Sequence, residues 1–272
     1  MADATFIPSR PSDRFTRFFG NYTRRLFAKK FHAVRLAAGT REALATLDTH
    51  EAPVLAVLNH ASWWDPLTSL LVSRELTPRR ANAAPMEAAM LRKFSFFRYL
   101  GIFGIDPDTP ASLDAMARHV ADRFRDRPAT TLWITAQGKF EDVRTPIRIR
   151  PGAAALAAQH PGIRVVTLAI EYGFWIDQKP EVFLRLATID PPPTTEGRAI
   201  STTAWYRAIQ GGMQANQDAL SALVRAREPA AFEPLIGGRS GVHPLYDLYL
   251  RLRGKSASLD APRAASSGGG TA

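Results

Sequence analysis

Residues 54–67, VLAVLNHASWWDPL, constrain the fold more than any other stretch. After Pro53, Val54 to Leu58 is an apolar run of strand length, and the apolar pattern from Leu67 to Leu76 has helical period. His60 to Asp65 therefore form a strand-to-helix turn at the mouth of a buried strand. A histidine has an ordinary pKa of about 6.5. A carboxylate on its Nδ1 fixes the tautomer and leaves Nε2 to take a proton from a hydroxyl. His60 and Asp65 thus read as a general base with its orienter. The spacing alone also fits a plainer role, in which His60 caps the helix and Asp65 answers its dipole in the first turn. Ser62, two residues after the base, reads as a turn hydroxyl and not as a nucleophile.

The same alternation runs along the chain. A short strand is expected within Pro78 to Pro85, and a helix from about Met86 to Tyr99. A strand at 101–106 and a helix from Ser112 to Arg125 follow, then a strand from Thr131 to Thr135 and the loop Ala136 to Phe140. An alanine-rich helix begins near Pro151-Gly152 and stops by Pro161. Arg164 to Tyr172, mostly apolar, reads as a central strand, and Val182 to Thr188 as another. Pro191, Pro192 and Pro193 break the chain before a long helix from about Ser201 to Arg227. Val242 to Arg253 forms a short amphipathic element. The pattern predicts the α/β class, a mixed sheet flanked by helices on both faces.

Composition narrows the partners. The 272 residues are 46% hydrophobic and carry a net charge of +10, so an anionic surface is the expected partner. No cysteine is present, which excludes thiol nucleophiles and cysteine-ligated zinc. No run approaches the roughly 18 apolar residues of a membrane span, and no signal-peptide core opens the chain. Residues 1–12 read as a disordered lead and 255–272 as a disordered tail rich in Ser, Gly and Ala. Residues 13–40 read as a basic amphipathic, membrane-associating helical segment. In it Phe15, Phe18, Phe19, Tyr22 and Leu26 share a face, flanked by Arg14, Arg17, Arg24 and Arg25, with Lys29 and Lys30 beyond. The basic residues mix with aromatics instead of lining a recognition helix, so a membrane surface is expected and nucleic acid is not. The expected location is peripheral, on the cytoplasmic face of the membrane.

Four blocks in order resemble the lysophospholipid and glycerolipid acyltransferase family, in particular its 1-acylglycerol-3-phosphate acyltransferases. They are the H-x-x-x-x-D string from Asn59 to Pro66, the segment Gly101 to Asp106, the loop Trp133 to Lys139, and the apolar strand Arg164 to Ile170. Arg150-Pro151-Gly152-Ala153 looks like the family's basic-glycine step into the next helix. The resemblance implies a glycerol-3-phosphate acyltransferase-like fold, with residues 41–254 as the acyltransferase domain. It implies transfer of a fatty acyl group from acyl-CoA or acyl-carrier protein to a hydroxyl of a lysophospholipid or related lipid. His60 would be the base and Asp65 its orienter, and the loop at Gln137 and Gly138 would position the acceptor; beside the resemblance, Lys139 and Arg144 are candidate acceptor-binding cations, and an acyl-binding tunnel is expected between Trp63, Trp64 and the Met86 to Tyr99 helix. No metal and no resident cofactor is expected. Two positions depart from the family pattern, where an arginine is Pro107 and a glutamate is Gln137. Those residues usually help hold a phosphorylated acceptor, so a nonphosphorylated acceptor such as a glycolipid, or a noncatalytic lipid-binding homologue, stays open.

Overall fold

The computed structural model describes residues 6–175, 177–194 and 198–237. Eight strands form one mixed sheet in the order β4-β3-β5-β2-β6-β7-β1-β8. The strands are β1 (Ala33–Ala37), β2 (Val54–Leu58), β3 (Ala81–Glu87), β4 (Ile102–Ile105), β5 (Thr130–Thr135), β6 (Arg164–Gly173), β7 (Glu181–Ile189) and β8 (Phe232–Gly237). β2 lies parallel between β5 and β6, while β6/β7 and β1/β8 are antiparallel.

Helices cover both faces, as the alternation of elements predicts. On one face lie α1 (Asp13–Lys30), α2 (Thr40–Asp48) and α3 (Asp65–Leu76). Phe27, Leu44 and Leu71 from these three pack with Val54, Ala56 and Leu58 of β2. On the other face α5 (Pro110–Asp126), α6 (Gly152–Gln159) and α7 (Thr202–Ala226) cover Leu55 and Val57. All five β2 side chains are therefore buried, alternately up and down, which is why this strand reads as a continuous apolar run. Burying each large aliphatic side chain contributes roughly 1.5–3 kcal/mol.

Several expectations need correction. The segment 13–40 is not one helix: α1 ends at Lys30, and β1 enters the sheet between β7 and β8. β1 escapes notice because Arg35 interrupts a five-residue strand; its guanidinium is buried in an ion pair with Glu181. The α/β domain thus begins before residue 41. Residues 6–12 are ordered, with Ile7 bridging antiparallel to Gly104 through two backbone hydrogen bonds of 2.9 and 2.8 Å. The helix expected over 86–99 is two pieces, α4 (Ala88–Lys93) and a 3₁₀ turn, Ser95–Leu100. Phe94 leaves helical geometry between them, and Phe96 and Phe97 turn onto Phe15 and Phe19 of α1. Gly101 closes the turn at φ +88, where a Cβ would lie 2.1 Å from the Asn82 carbonyl oxygen, so only glycine fits. α2 and β8 were also unforeseen. β8 contains Pro234, tolerated because β8 is an edge strand. Residues 1–5, Val242 to Arg253 and the 255–272 tail lie outside the described residues.

Candidate active site

β2 ends at Leu58, and the turn to α3 is clamped from both neighbouring strands. On the β6 side, Asn59 forms a two-way amide pair with Ile170: its Nδ2 donates to the Ile170 carbonyl and its Oδ1 accepts from the Ile170 N–H, both at 2.8 Å. On the β5 side, Gln137 Oε1 accepts from the His60 N–H at 2.8 Å, and the Glu141 N–H donates to the His60 carbonyl at 2.8 Å. Both peptide groups of His60 are thereby held by the loop after β5. This bracing fixes the backbone that carries the imidazole.

Within the turn, His60 Nδ1 lies 2.8 Å from Asp65 Oδ2. Asp65 is fully buried at 0% exposure. Its carboxylate also accepts from the Ser62 N–H at 2.9 Å and from the Tyr172 hydroxyl at 2.7 Å. With those two donors committed to it, the carboxylate is the acceptor for His60, so the imidazole proton belongs on Nδ1 and Nε2 is the basic nitrogen. Asp65 orients the ring, which surpasses the plainer role of a helix-dipole partner. Ser62 is a turn hydroxyl as read, its Oγ accepting from the Trp64 N–H at 3.2 Å.

Tyr172, on β6, was not foreseen. β6 runs on past the end of β2, where Leu58 pairs with Leu168, and so carries Ile170 and Tyr172 alongside the turn. Burial, and then the charge of Asp65, push the Tyr172 phenol well above its ordinary pKa, so it remains a donor. A tyrosine closing an apolar strand is the available signal, since its hydroxyl needs a partner there. Phe140 was likewise missed. Its ring sits 4.3 Å from the His60 ring centroid and is 59% exposed.

The other expected site residues separate. Gln137 is 6% exposed, and both ends of its amide bind protein, with Nε2 donating to Glu141 Oε2 at 2.7 Å. It braces the turn instead of facing outward as an acceptor contact. Lys139 pairs with Glu141 at 2.8 Å. Arg144 makes a two-pronged contact with Asp142 at 2.8 and 2.6 Å. Lys139 and then Gln137 hold the Glu141 carboxyl below its ordinary range. Gly138 adopts φ +72, and a Cβ there would press on the Arg150 side chain at 2.9 Å.

A shallow apolar groove, open to solvent, begins at Pro66 beside the turn. Its wall includes Pro66, Leu67 and Leu70 of α3, Phe19 of α1, Phe97, and Trp133 of β5. Neither Trp63 nor Trp64 lines it. Trp64 packs edge-on against Phe27 and Phe31, at 5.5 and 4.9 Å, and Trp63 is 65% exposed. The aromatic end of α1 captures Trp64, and a tryptophan from a different block, Trp133, takes the groove position. Asn82 Oδ1, also at the groove, accepts from Ser73 Oγ and Trp133 Nε1 at 2.7 and 2.9 Å. Among the described residues no three His, Cys, Asp or Glu side chains gather as a metal-holding set.

No protein-family model matches the chain, and no curated protein matches it. Among solved structures, the crystal structure of the 1-acyl-sn-glycerophosphate (LPA) acyltransferase PlsC from Thermotoga maritima is similar, with a TM-score of 0.54 and 15% sequence identity. The match covers 76% of this chain and 80% of that one. The likeness is one of fold: the mixed sheet flanked by helices is common to both.

Proposed function

We propose that the protein is an O-acyltransferase that moves a fatty acyl group from a thioester, acyl-CoA or acyl-carrier protein, to a hydroxyl of a lipid acceptor. The observation that carries this reading is the buried Asp65 on His60 Nδ1, placed where an apolar groove meets the turn. A fold shared with an acyltransferase supports it. The acceptor hydroxyl attacks the thioester carbonyl while His60 Nε2 takes its proton and Asp65 stabilises the resulting imidazolium. The oxygen–carbon bond forms, the carbon–sulfur bond breaks, and the proton passes from His60 to the departing thiolate. The groove accepts the apolar chain of a substrate. No acyl-enzyme, metal or redox cofactor enters this scheme.

One observation favours a nonphosphorylated acceptor over a lysophospholipid. Of the four cations after β5, Lys139, Arg144 and Arg150 each already face a carboxylate, those of Glu141, Asp142 and Asp108, while the exposed Arg148 lies close enough to lower the Glu141 pKa. A phosphate brought beside Phe140 would meet the ionised Glu141, while a sugar or glycerol hydroxyl would not be repelled.

We further propose that α1 docks the enzyme on anionic lipid as a peripheral protein of the cytoplasmic membrane face. Phe18 and Tyr22 are exposed beside the exposed Arg14, Arg17, Arg25, Lys29 and Lys30. Phe15 and Phe19 instead contact the 3₁₀ turn, and Arg24 pairs with Glu75 at 3.4 Å. Each free cation near anionic lipid contributes about 1 kcal/mol. No described helix is long and apolar enough to cross a membrane.

The deciding experiment is mass spectrometry of products from the purified protein given acyl-CoA or acyl-carrier protein and a panel of lysophospholipid, glycerol phosphate and glycolipid acceptors. Ester formation lost in His60→Ala is the expected result. Donor binding with no product from any acceptor would favour a noncatalytic lipid-binding protein. Cosedimentation with phosphatidylserine vesicles, lost on replacing Arg14, Arg17 and Arg25 by glutamate, tests the membrane face.

A further inference from the structure

We infer that Tyr172 is a positioning residue of this site: by donating its hydroxyl to Asp65 Oδ1 it sets how strongly Asp65 binds and orients His60. The inference rests on His60 acting as the base.

Asp65 divides its two oxygens between two tasks. Oδ2 takes His60 Nδ1 and the Ser62 N–H, both of them local to the turn. Oδ1 takes Tyr172, which comes from a strand 107 residues away. The Tyr172 oxygen also lies 3.1 Å from Thr68 Oγ1. Because the Tyr172 proton points to a carboxylate, Thr68 is the donor in that second contact, and the chain of donors runs Thr68 to Tyr172 to Asp65. Asp65 and Thr68 are both fully buried, so no water replaces either partner cheaply. The tyrosine ring is steadied by Phe31 at 6.0 Å, the same ring that holds Trp64.

This arrangement has a definite consequence. A hydrogen bond donated to a carboxylate lowers its basicity and fixes its plane. With Tyr172 in place, Asp65 keeps the imidazole in register without drawing the Nδ1 proton across. Removing the hydroxyl leaves Oδ1 buried without that donor, makes the carboxylate more basic, and strengthens its grip on the imidazolium. His60 then holds its second proton to higher pH. On the loop after β5, Glu141 is joined to His60 through its backbone N–H and its carboxylate pairs with Lys139; neither side chain is hydrogen-bonded to Tyr172 among the described residues.

The test is ¹⁵N-histidine NMR of the full-length protein, with the His60 resonances assigned through His60→Ala, in wild type, Tyr172→Phe and Thr68→Val. It needs no substrate. In Tyr172→Phe the His60 titration midpoint should rise by about half to one pH unit, roughly half of the one to two units that one hydrogen bond to a charged group is worth, because the effect reaches His60 through Asp65. The rise should be smaller in Thr68→Val, which keeps the ring and serves if Tyr172→Phe does not fold, and the other five histidines should not move. In the acyl-transfer assay the acid limb of kcat/KM should shift by the same amount, while losing the contact that fixes the Asp65 plane outweighs the stronger grip and lowers kcat about tenfold, with KM within about twofold. A folded Tyr172→Phe whose His60 midpoint stays at the wild-type value overturns the inference, as does a shift shared by all the histidines. A moved midpoint in a protein that transfers no acyl group would uphold Tyr172 as positioning His60 while rejecting the acyltransferase reading.

Discussion

Asn59 ties the His60–Asp65 turn to β6, and its removal should cost more than an ordinary buried asparagine. Its side chain is 4% exposed, and the backbone it serves belongs to Ile170, which is fully buried. Asn59→Ala removes one donor and one acceptor together, leaving the Ile170 N–H and C=O without the bonds they make at 2.8 Å. Each orphaned buried group costs about 1–3 kcal/mol, so the sum is about 2–6 kcal/mol. For a domain this size each kcal/mol lowers Tm by about 2–4 °C. Asn59→Asp separates the two bonds. One oxygen still accepts from the Ile170 N–H, but the other now faces the Ile170 carbonyl. Burial and that carbonyl raise the new carboxyl's folded pKa above its unfolded value of about 3.9. A group raised in this way favours the fold only while protonated, so the stability of Asn59→Asp should fall as pH rises from about 4 through the raised value. At pH 5 the protonated form can donate to the carbonyl and recover part of the loss. Urea unfolding of wild type and both variants at pH 5 and pH 8 measures this directly. A loss for Asn59→Ala below about 0.5 kcal/mol, or an Asn59→Asp penalty equal at both pH values relative to wild type, would refute the reasoning.

Other consequences can be checked with similar means. Arg80 is buried, with its guanidinium bonded to Thr131 Oγ1 and to the carbonyls of Leu47, His50, Ala52 and Thr130; burial lowers its pKa to about 10. Arg80→Met strands those acceptors and should destabilise by at least about 3 kcal/mol in urea unfolding. His50, His119 and His160 all have pKa values lowered by burial, with neighbouring arginines adding to the effect at His50 and His119. The unfolded chain therefore binds their protons first, and Tm should drop as pH falls below about 6.5; the drop should be shallower in His119→Gln. Gly101→Ala should abolish soluble expression or lower Tm by more than about 6 °C, because its Cβ would overlap the Asn82 carbonyl. Asp65→Asn should cut kcat by about a thousandfold or more with KM little changed, since an amide cannot accept all three donors now aimed at the carboxylate.

What the sequence makes readable follows from how far apart in the chain the partners are. β2 and α3 declare themselves because a strand buried on both faces and a helix of ordinary length each carry their own pattern, and His60 and Asp65 meet within the turn that joins them. The groups that support the pair come from elsewhere: Asn59 reaches Ile170 across 111 residues, Asp65 reaches Tyr172 across 107, and His60 reaches Gln137 across 77. Those meetings depend on β5 and β6 flanking β2, an order that no local pattern encodes. β1 and β8 were hidden for related reasons. The Arg35 that spoils the apolar pattern of β1 is neutralised by Glu181 of β7, and the proline in β8 is harmless only at an edge.

Gln137 shows the same limit at a single residue. A polar side chain in the loop after β5 has chemistry suited equally to an acceptor hydroxyl and to the protein itself. Its amide spans the His60 N–H and Glu141, so its identity is set first by the turn it braces. A glutamate at 137 would keep the acceptor for His60 but would turn the donor toward Glu141 into a second carboxylate oxygen 2.7 Å from the first. Like charges that close do not both stay ionised without cost. Glutamine at 137 and glutamate at 141 are therefore a matched pair, and the departure from the acyltransferase pattern at 137 carries its compensation four residues on. The loop holds His60 in place with a neutral amide, and leaves its negative charge at Glu141, on the side where an acceptor would approach Phe140.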